Sequence, residues 1–139
     1  MTAHEAHEGD LPRHAALTVP LLSGVFCGGM AGAVARVEVA RLLDPGTWPW
    51  PTLLVNLAGA FLLGVFATTF QERLHPATLR EAVSGPGFCG ALTTFSTLQV
   101  ELIRLAEHGR AGAAAAYGAV SIVGGLLAVS AGTAAARWG

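Results

Sequence analysis

The chain contains no lysine, and charged residues of all kinds make up only 12% of its 139 amino acids. Water-soluble domains carry about a quarter charged residues, so the composition excludes an ordinary soluble domain. The formal net charge is −1, which removes the basic surface that nucleic-acid binding requires. Hydrophobic residues reach 53%, and this balance predicts one small membrane domain.

Patterns that carry catalysis are also missing from the sequence. All five histidines lie outside the apolar segments, no serine–histidine–aspartate set is evident, and no phosphate-binding glycine loop follows a strand. We therefore expect no enzymatic activity. Cys27 and Cys89 both fall within apolar segments, where a thiol is usually a small packing residue. We expect both cysteines to be free.

The N-terminal residues 1–14 are polar and rich in histidine and glutamate. They lack the positively charged start of a signal peptide. His4 and His7 have the i,i+3 spacing of a helix, which suits a shared metal ion, but a flexible tail is the interpretation we favour. Residues 15–139 are then expected to form a single transmembrane domain.

Four apolar segments are long enough to cross a bilayer, which takes about 20 residues for each helix. Tryptophans beside them, such as Trp48 and Trp50, suit the membrane interface. Gly24, Gly28 and Gly32 recur every four residues in the first segment, a spacing that lets another backbone approach closely. The sequence therefore predicts an all-α membrane protein with four transmembrane helices per subunit, over approximately 15–42, 52–70, 82–105 and 111–136.

The third segment contains Gly85-Pro86-Gly87 and Gly90, which make a continuous helix difficult to maintain. Helix breaks at membrane depth are tolerated where the backbone faces protein or a cavity. There they expose carbonyls to cations and amides to anions. We predict a broken third helix, with its functional backbone between Gly90 and Thr94. A simple Gly-Pro kink is the alternative interpretation.

Hydrogen-bonding side chains follow this break. Hydroxyls in membrane helices often donate to their own i−4 carbonyl, so each is weak evidence by itself. The phenyl ring among them has a positive edge, which suits an anion that must bind weakly enough to leave again. Leu98 and the ring share a helix face at i,i+3. The residues concerned are Thr93, Thr94, Phe95, Ser96, Thr97, Leu98 and Glu101.

Other segments also carry isolated polar side chains. Asn56 is the strongly polar residue of the second segment, and its amide supplies two donors. Those donors suit either an anion or a hydrogen bond between helices. Tyr117 and Ser121 stand four residues apart on one face of the fourth segment. They suit either a continuing track of hydroxyls or ordinary packing.

The arginines do not favour one orientation in the bilayer. With four spans, four arginines fall on each side of the membrane, and orientation follows this count. A balanced count permits insertion in both directions, so that two inverted copies could pair; a chance balance is the alternative. One side holds Arg13, Arg73, Arg80 and Arg137, and the other holds Arg36, Arg41, Arg104 and Arg110.

The run GFCGALTTFSTLQVE at residues 87–101 resembles the third-helix signature of the Fluc/CrcB fluoride channel family. GGMAGAVAR at 28–36 and TLLVNLAGAFLLG at 52–64 resemble the same family, in the same order. The resemblance implies a passive, fluoride-selective channel in the cell membrane that exports fluoride and reduces its toxicity. It also implies an antiparallel, dual-topology homodimer with two pores, surrounded by membrane lipid.

The resemblance further implies a structural sodium ion at the dimer centre, held by the main-chain carbonyls of Gly90 and Thr93 from each subunit. Leu98 stands where the family usually has a second pore phenylalanine, since the family reads TTFSTF and this chain reads TTFSTL. The pore residues implied are Asn56, Thr94, Phe95, Thr97, Leu98, Glu101, Tyr117 and Ser121.

Leu98 leaves several interpretations open. Conduction could proceed with one ring per pore, proceed more slowly, or require a different partner subunit in a heterodimer. A non-conducting structural subunit is a further alternative. A small proton-coupled multidrug exporter would instead need an acidic residue in the first span, where Glu38 is the candidate and has Arg36 and Arg41 nearby.

Overall fold

The computed structural model of the chain describes residues 13–43, 46, 48–73 and 79–138. The described residues form helices and no strand. The predicted tail lies outside them, apart from its last two positions, because the first helix begins at Arg13. The elements are α1 (Arg13–Leu42), α2 (Trp50–Arg73), α3 (Leu79–Ala82), a π-helical segment (Val83–Cys89), α4 (Gly90–Leu92), α5 (Phe95–Glu107) and α6 (Ala111–Trp138).

Three of these helices are long and apolar enough to cross a membrane, over Val19–Leu42, Trp50–Phe70 and Ala111–Trp138. They correspond to the first, second and fourth apolar segments, with ends a few residues from the predicted ones. The expectation of an all-α membrane protein is therefore confirmed for the part of the chain described.

The remaining apolar region, 79–107, is divided into shorter pieces. Gly85, Pro86 and Gly87 do not interrupt the helix as predicted; they widen it into a π-helix. Pro86 has no N–H and its ring crowds the preceding turn, and a π-helix is one way to absorb that strain. The extended backbone comes later, at Thr93 (φ −80°, ψ 152°) and Thr94 (φ −146°, ψ 113°). We call this pair the Thr93–Thr94 junction.

Close backbone contacts hold the helices in two pairs. The predicted approach at the first-span glycines is confirmed: a Cβ on Gly28 would overlap the carbonyl of Val83, and one on Gly32 would overlap that of Phe88. Helix α1 therefore packs directly on the π-helical segment. On the other side, α2 lies along α6, where a Cβ on Gly132 would overlap the Phe61 carbonyl.

The core enclosed by one chain is small. Leu53, Leu98 and Tyr117 form its buried centre, where α2, α5 and α6 meet. Gly109, with φ +72°, reverses the chain between α5 and α6, so the C-terminal half of α5 lies beside the start of α6. Many large apolar side chains on the outer helix faces stay exposed, a surface suited to lipid or to another subunit.

Candidate functional site

Asn56 on α2 binds both main-chain groups of Thr94. Its Oδ1 accepts from the Thr94 N–H at 2.7 Å, and its Nδ2 donates to the Thr94 carbonyl at 3.2 Å. Of the two roles left open by the sequence, the hydrogen bond between segments is therefore present within one chain. This pair of bonds holds the Thr93–Thr94 junction in its extended form.

The same face of α2 makes room for the junction one turn further along. Gly59 is three residues after Asn56, so both lie on one helix face. A Cβ on Gly59 would overlap the Cγ2 of Thr93. The glycine therefore permits the close approach that lets Asn56 reach the junction.

The Thr94 hydroxyl starts the next helix. Thr94 is the N-cap of α5, and its Oγ1 accepts from the Thr97 N–H at 3.3 Å, as cap hydroxyls do. The same oxygen lies 2.9 Å from the Thr97 Oγ1, to which it donates, and 3.3 Å from the Ser96 Oγ. Thr94 is buried while Ser96 and Thr97 are exposed, so this hydroxyl cluster connects the interior of the chain with its surface.

The junction also releases two carbonyls from the helical pattern. In a continuous helix the Thr94 N–H would donate to Gly90 and the Thr97 N–H to Thr93. These donors bind Asn56 Oδ1 and Thr94 Oγ1 instead. Carbonyls at helix breaks are the ligands that sodium takes in membrane proteins. The main chain at Gly90 and Thr93 thus fits the sodium ion that the resemblance implies, with two ligands from one chain.

A second group of polar side chains surrounds Glu101 in the middle of α5. Thr52 Oγ1 donates to Glu101 Oε1 at 2.8 Å, and Tyr117 Oη donates to Oε2 at 2.7 Å. Thr52 is buried and Tyr117 is completely so. A carboxylate taken from water needs such donors, and here each of its oxygens has one.

Thr52 is the member of this group that sequence reasoning missed. The available signal was its position four residues before Asn56, on the same face of α2. A single threonine in an apolar helix normally binds its own backbone. Its role becomes visible only when Glu101, 49 residues away, is brought beside it.

The structure gives Phe95 and Leu98 different surroundings. Phe95 is 70% exposed at the first turn of α5, whereas Leu98 is 8% exposed and packs with Leu53 and Tyr117. Leu98 is therefore part of the core within one chain, and Phe95 presents its ring outward.

Ser121 differs from the other helical serines of the described region. Ser23, Ser84 and Ser130 each donate to the carbonyl four residues earlier, at 2.8–2.9 Å. The Ser121 Oγ is buried and has no hydrogen-bond partner among the residues described. It lies one turn beyond Tyr117 on α6. A buried hydroxyl without a partner is costly.

Two cavities adjoin these groups. One of about 180 Å³ lies between α1, α2 and α5, and Arg36 shares its lining with Thr52, Thr94 and Thr97. The sequence did not predict that Arg36 would share a cavity with these threonines. The other, about 360 Å³, lies along the C-terminal half of α5, and we call it the mouth cavity. It is lined by Gly46, Trp48, Pro49, Glu101, Arg104, Leu105, His108 and Arg110.

The acidic residue that a proton-coupled exporter would need lies apart from the polar groups described above. Glu38 is exposed and forms an ion pair with Arg41 at 3.0 Å, away from the groups above. Cys27 and Cys89 are free, as predicted. Within the described residues, no three histidine, cysteine or carboxylate side chains come together in a way that could hold a metal ion.

Comparison with known proteins matches the chain to one family model and to relatives with related names. Residues 23–133 match the family model described as "CrcB-like protein, Camphor Resistance (CrcB)". A "Fluoride-specific ion channel FluC 1" of Mycobacterium bovis is 54% identical over 110 residues, covering 78% of this chain and 83% of the relative. A "Fluoride-specific ion channel FluC" of Bordetella petrii is 41% identical over 114 residues, covering 81% and 88%.

Proposed function

The chain belongs to the CrcB family, and on that premise we propose that it is a passive, fluoride-selective channel of the cell membrane. It lets fluoride leave the cytoplasm and so reduces fluoride toxicity. Relatives named as fluoride-specific ion channels at 41–54% identity support this assignment. No step in this function forms or breaks a covalent bond, in keeping with a family of channels and not of enzymes.

A row of hydrogen-bonding side chains through an apolar bundle carries the proposal. It leads from Thr52 and Glu101 to Tyr117 and on to Ser121. Hydroxyl donors are uncharged, so they can replace the water around a halide without holding it as tightly as a cation would. Ser121 has a buried hydroxyl without a partner in the described chain, so it is the member of the row whose donor is not already engaged.

Asn56 acts in this proposal by positioning. Both ends of its amide are engaged by Thr94, so its main effect is to fix where α5 begins. Phe95 is the first residue of α5, and its exposed ring can turn a positive edge toward an anion. The hydroxyls of Thr94 and Thr97 lie beside it at the N-terminus of the helix, whose partial positive charge also favours anions.

One chain does not enclose the path by itself, since Phe95 and Thr97 are exposed. The pore is completed by a second copy in an antiparallel, dual-topology homodimer, with lipid around the outer helix faces. The equal number of arginines on the two sides supports insertion in both directions. Because Leu98 is buried and is not aromatic, each pore of the proposed dimer has one outward-facing ring, that of Phe95.

A sodium ion at the centre of this dimer would be held by the carbonyls of Gly90 and Thr93 from both subunits. Its role is structural. It would join the two subunits where the carbonyls of each helix break accept no helical hydrogen bond from Thr94 or Thr97. The Thr94 and Thr97 N–H groups bind side-chain oxygens instead of these carbonyls, which supports this assignment.

The experiment is fluoride efflux from liposomes that contain the purified protein, followed with a fluoride electrode. The wild type is expected to release fluoride electrogenically with chloride nearly excluded. Asn56→Ala and Phe95→Ala should each slow release. Phe26→Ala is the matched control for Phe95, because Phe26 is a similarly exposed ring on α1 outside the proposed path.

A folded, purified dimer that moves no fluoride would refute the channel assignment. If the wild type conducts and both variants at 56 and 95 conduct equally well, those two residues have no role in the path.

A further inference from the structure

Trp48 carries a buried donor that the described chain leaves without an acceptor. Its Nε1 has no hydrogen-bond partner among the residues described. The indole nitrogen donates and never accepts. Buried donors are nearly always satisfied, and an exception requires an explanation such as an ion or a water molecule.

The surroundings of Trp48 connect it to the proposed path. Its ring meets Tyr117 edge-on, with centroids 5.7 Å apart and planes at 74°. Tyr117 in turn donates to Glu101. Trp48 also lines the mouth cavity together with Glu101. It therefore stands between the cavity and the buried row of hydroxyls.

The charges around the mouth cavity favour an anion. Arg104 and Arg110 both line it, and Glu101 is the one carboxylate among those lining residues that the structure describes. Both oxygens of Glu101 already accept hydrogen bonds. His108, which also lines the cavity, is tied to the Arg104 carbonyl at 2.6 Å. Two guanidinium groups at one opening concentrate anions there.

The burial of the Trp48 nitrogen restricts the size of the ligand. The mouth cavity is large enough for a small organic molecule, but the Nε1 atom itself is covered by its neighbours. An ion the size of water reaches this atom only if the side chains that cover it move slightly, whereas a bulky carboxylate or phosphate group would have to displace the ring. A single small ion needs little space, which favours a monatomic anion over an organic one.

We propose that Trp48 is a further anion-binding residue of the channel. Its indole N–H donates to fluoride at the outer end of the row that continues through Tyr117 and Ser121, after Arg104 and Arg110 have drawn the ion into the mouth cavity. This inference rests on the proposed function and adds a residue to its path. The donor is neutral, so the ion is held at the mouth without being trapped there.

The first test observes the indole directly. Protein labelled with ¹⁵N at the tryptophan side chains has three indole N–H signals, from Trp48, Trp50 and Trp138. In a fluoride titration at constant ionic strength, we expect one signal to shift and saturate, and Trp48→Phe to remove that signal. Trp50→Phe is the matched control, because Trp50 is half exposed and should leave the shifting signal in place.

The absence of any fluoride-dependent indole shift would overturn the proposal, as would a shifting signal that persists in Trp48→Phe. A chloride titration under the same conditions should produce a weaker shift. An equal response to both anions would refute a role for this donor in selecting fluoride.

The second test measures flux. Trp48→Phe keeps an aromatic ring against Tyr117 and removes the N–H, so it should slow fluoride efflux by about tenfold, the effect of losing one hydrogen bond. Trp50→Phe should leave efflux unchanged. If the wild type conducts while Trp48→Phe conducts equally, this inference fails and the channel assignment stands. If the wild type does not conduct but its Trp48 signal responds to fluoride, the assignment fails and the binding site stands.

Discussion

Glu101 organises the polar interior at the scale of single residues. Sequence reasoning and family resemblance singled out Glu101 and Tyr117, but they did not predict the bond between them or the contribution of Thr52. Such contacts depend on how three helices meet, and no spacing within one helix encodes that. Leu98 is a second example. Its spacing from Phe95 predicted that the two share a helix face, whereas packing between helices buries Leu98 in the core.

The two donors to Glu101 should be energetically coupled. Thr52→Val and Tyr117→Phe each leave one carboxylate oxygen without its donor, so each should lower the free energy of unfolding by roughly 1–3 kcal/mol. Once one donor is lost, the carboxylate can shift toward the other or toward water. The double variant should therefore cost less than the sum of the two, by about 0.5–3 kcal/mol.

Equilibrium denaturation of the four proteins in detergent measures this coupling. Thr69→Val serves as a control, because Thr69 is on the same helix as Thr52 and lines a different cavity. Strict additivity of the two single effects would show that the donors do not act through a common carboxylate.

At the scale of elements, the apolar helices were predictable and the irregular region only in outline. Length and composition located α1, α2 and α6 within a few residues. Glycine and proline indicated that the third region would be irregular, but not that Pro86 would sit in a π-helix or that the backbone would extend only at Thr93 and Thr94. That outcome depends on Asn56, a partner 38 residues away.

The pairing of α2 with α6 gives a test at this scale. In Gly132→Ala the new Cβ would meet the main-chain carbonyl of Phe61, which can move only if the two helices separate. We expect a loss of about 1–3 kcal/mol in stability, as for other overpacked sites. Gly125→Ala, on the same helix with no neighbouring atom within 4 Å of the new Cβ, should be neutral or slightly stabilising.

Thermal unfolding of the two variants beside the wild type distinguishes these outcomes. Equal melting temperatures for Gly132→Ala and Gly125→Ala would mean that α2 and α6 are not held at the distance observed.

At the scale of the whole molecule, the chain buries little of its own apolar surface. In the best-buried of its three long apolar helices, α2, only 33% of the most apolar stretch is buried. The membrane protein was predictable from the low charged and high hydrophobic fractions, and the fluoride channel from the family resemblance. How two chains pair depends on the surface they share and on their orientations in the bilayer. The arginine count is the observation from the sequence that bears on orientation.

That count leads to a prediction about orientation. Ala106→Lys with Glu107→Lys adds positive charge to the α5–α6 side, and Gln71→Lys with Glu72→Lys adds it to the opposite side. Each double variant should insert mainly in one direction and lose most of its fluoride efflux when expressed alone. Expressing the two together should restore efflux, because each supplies the orientation that the other lacks.

Mass spectrometry of the co-expressed, affinity-separated pair identifies the mixed dimer. The matched neutral changes, Ala106→Gln with Glu107→Gln, control for the loss of the native side chains. Full efflux from either lysine variant expressed alone would argue against an antiparallel dimer.

In the proposed path, the bonds around Glu101 would also determine how the hydroxyl row recovers after each ion. A phenol has a single proton, so Tyr117 cannot bind the carboxylate and a passing halide simultaneously. Rotation of one O–H bond would offer that proton to the halide and leave Glu101 Oε2 short of a partner. Once the halide departs, the unsatisfied oxygen draws the proton back. In the proposed path, Glu101 would thus return the Tyr117 hydroxyl to its resting orientation, and the row could bind the next ion without any movement of a helix.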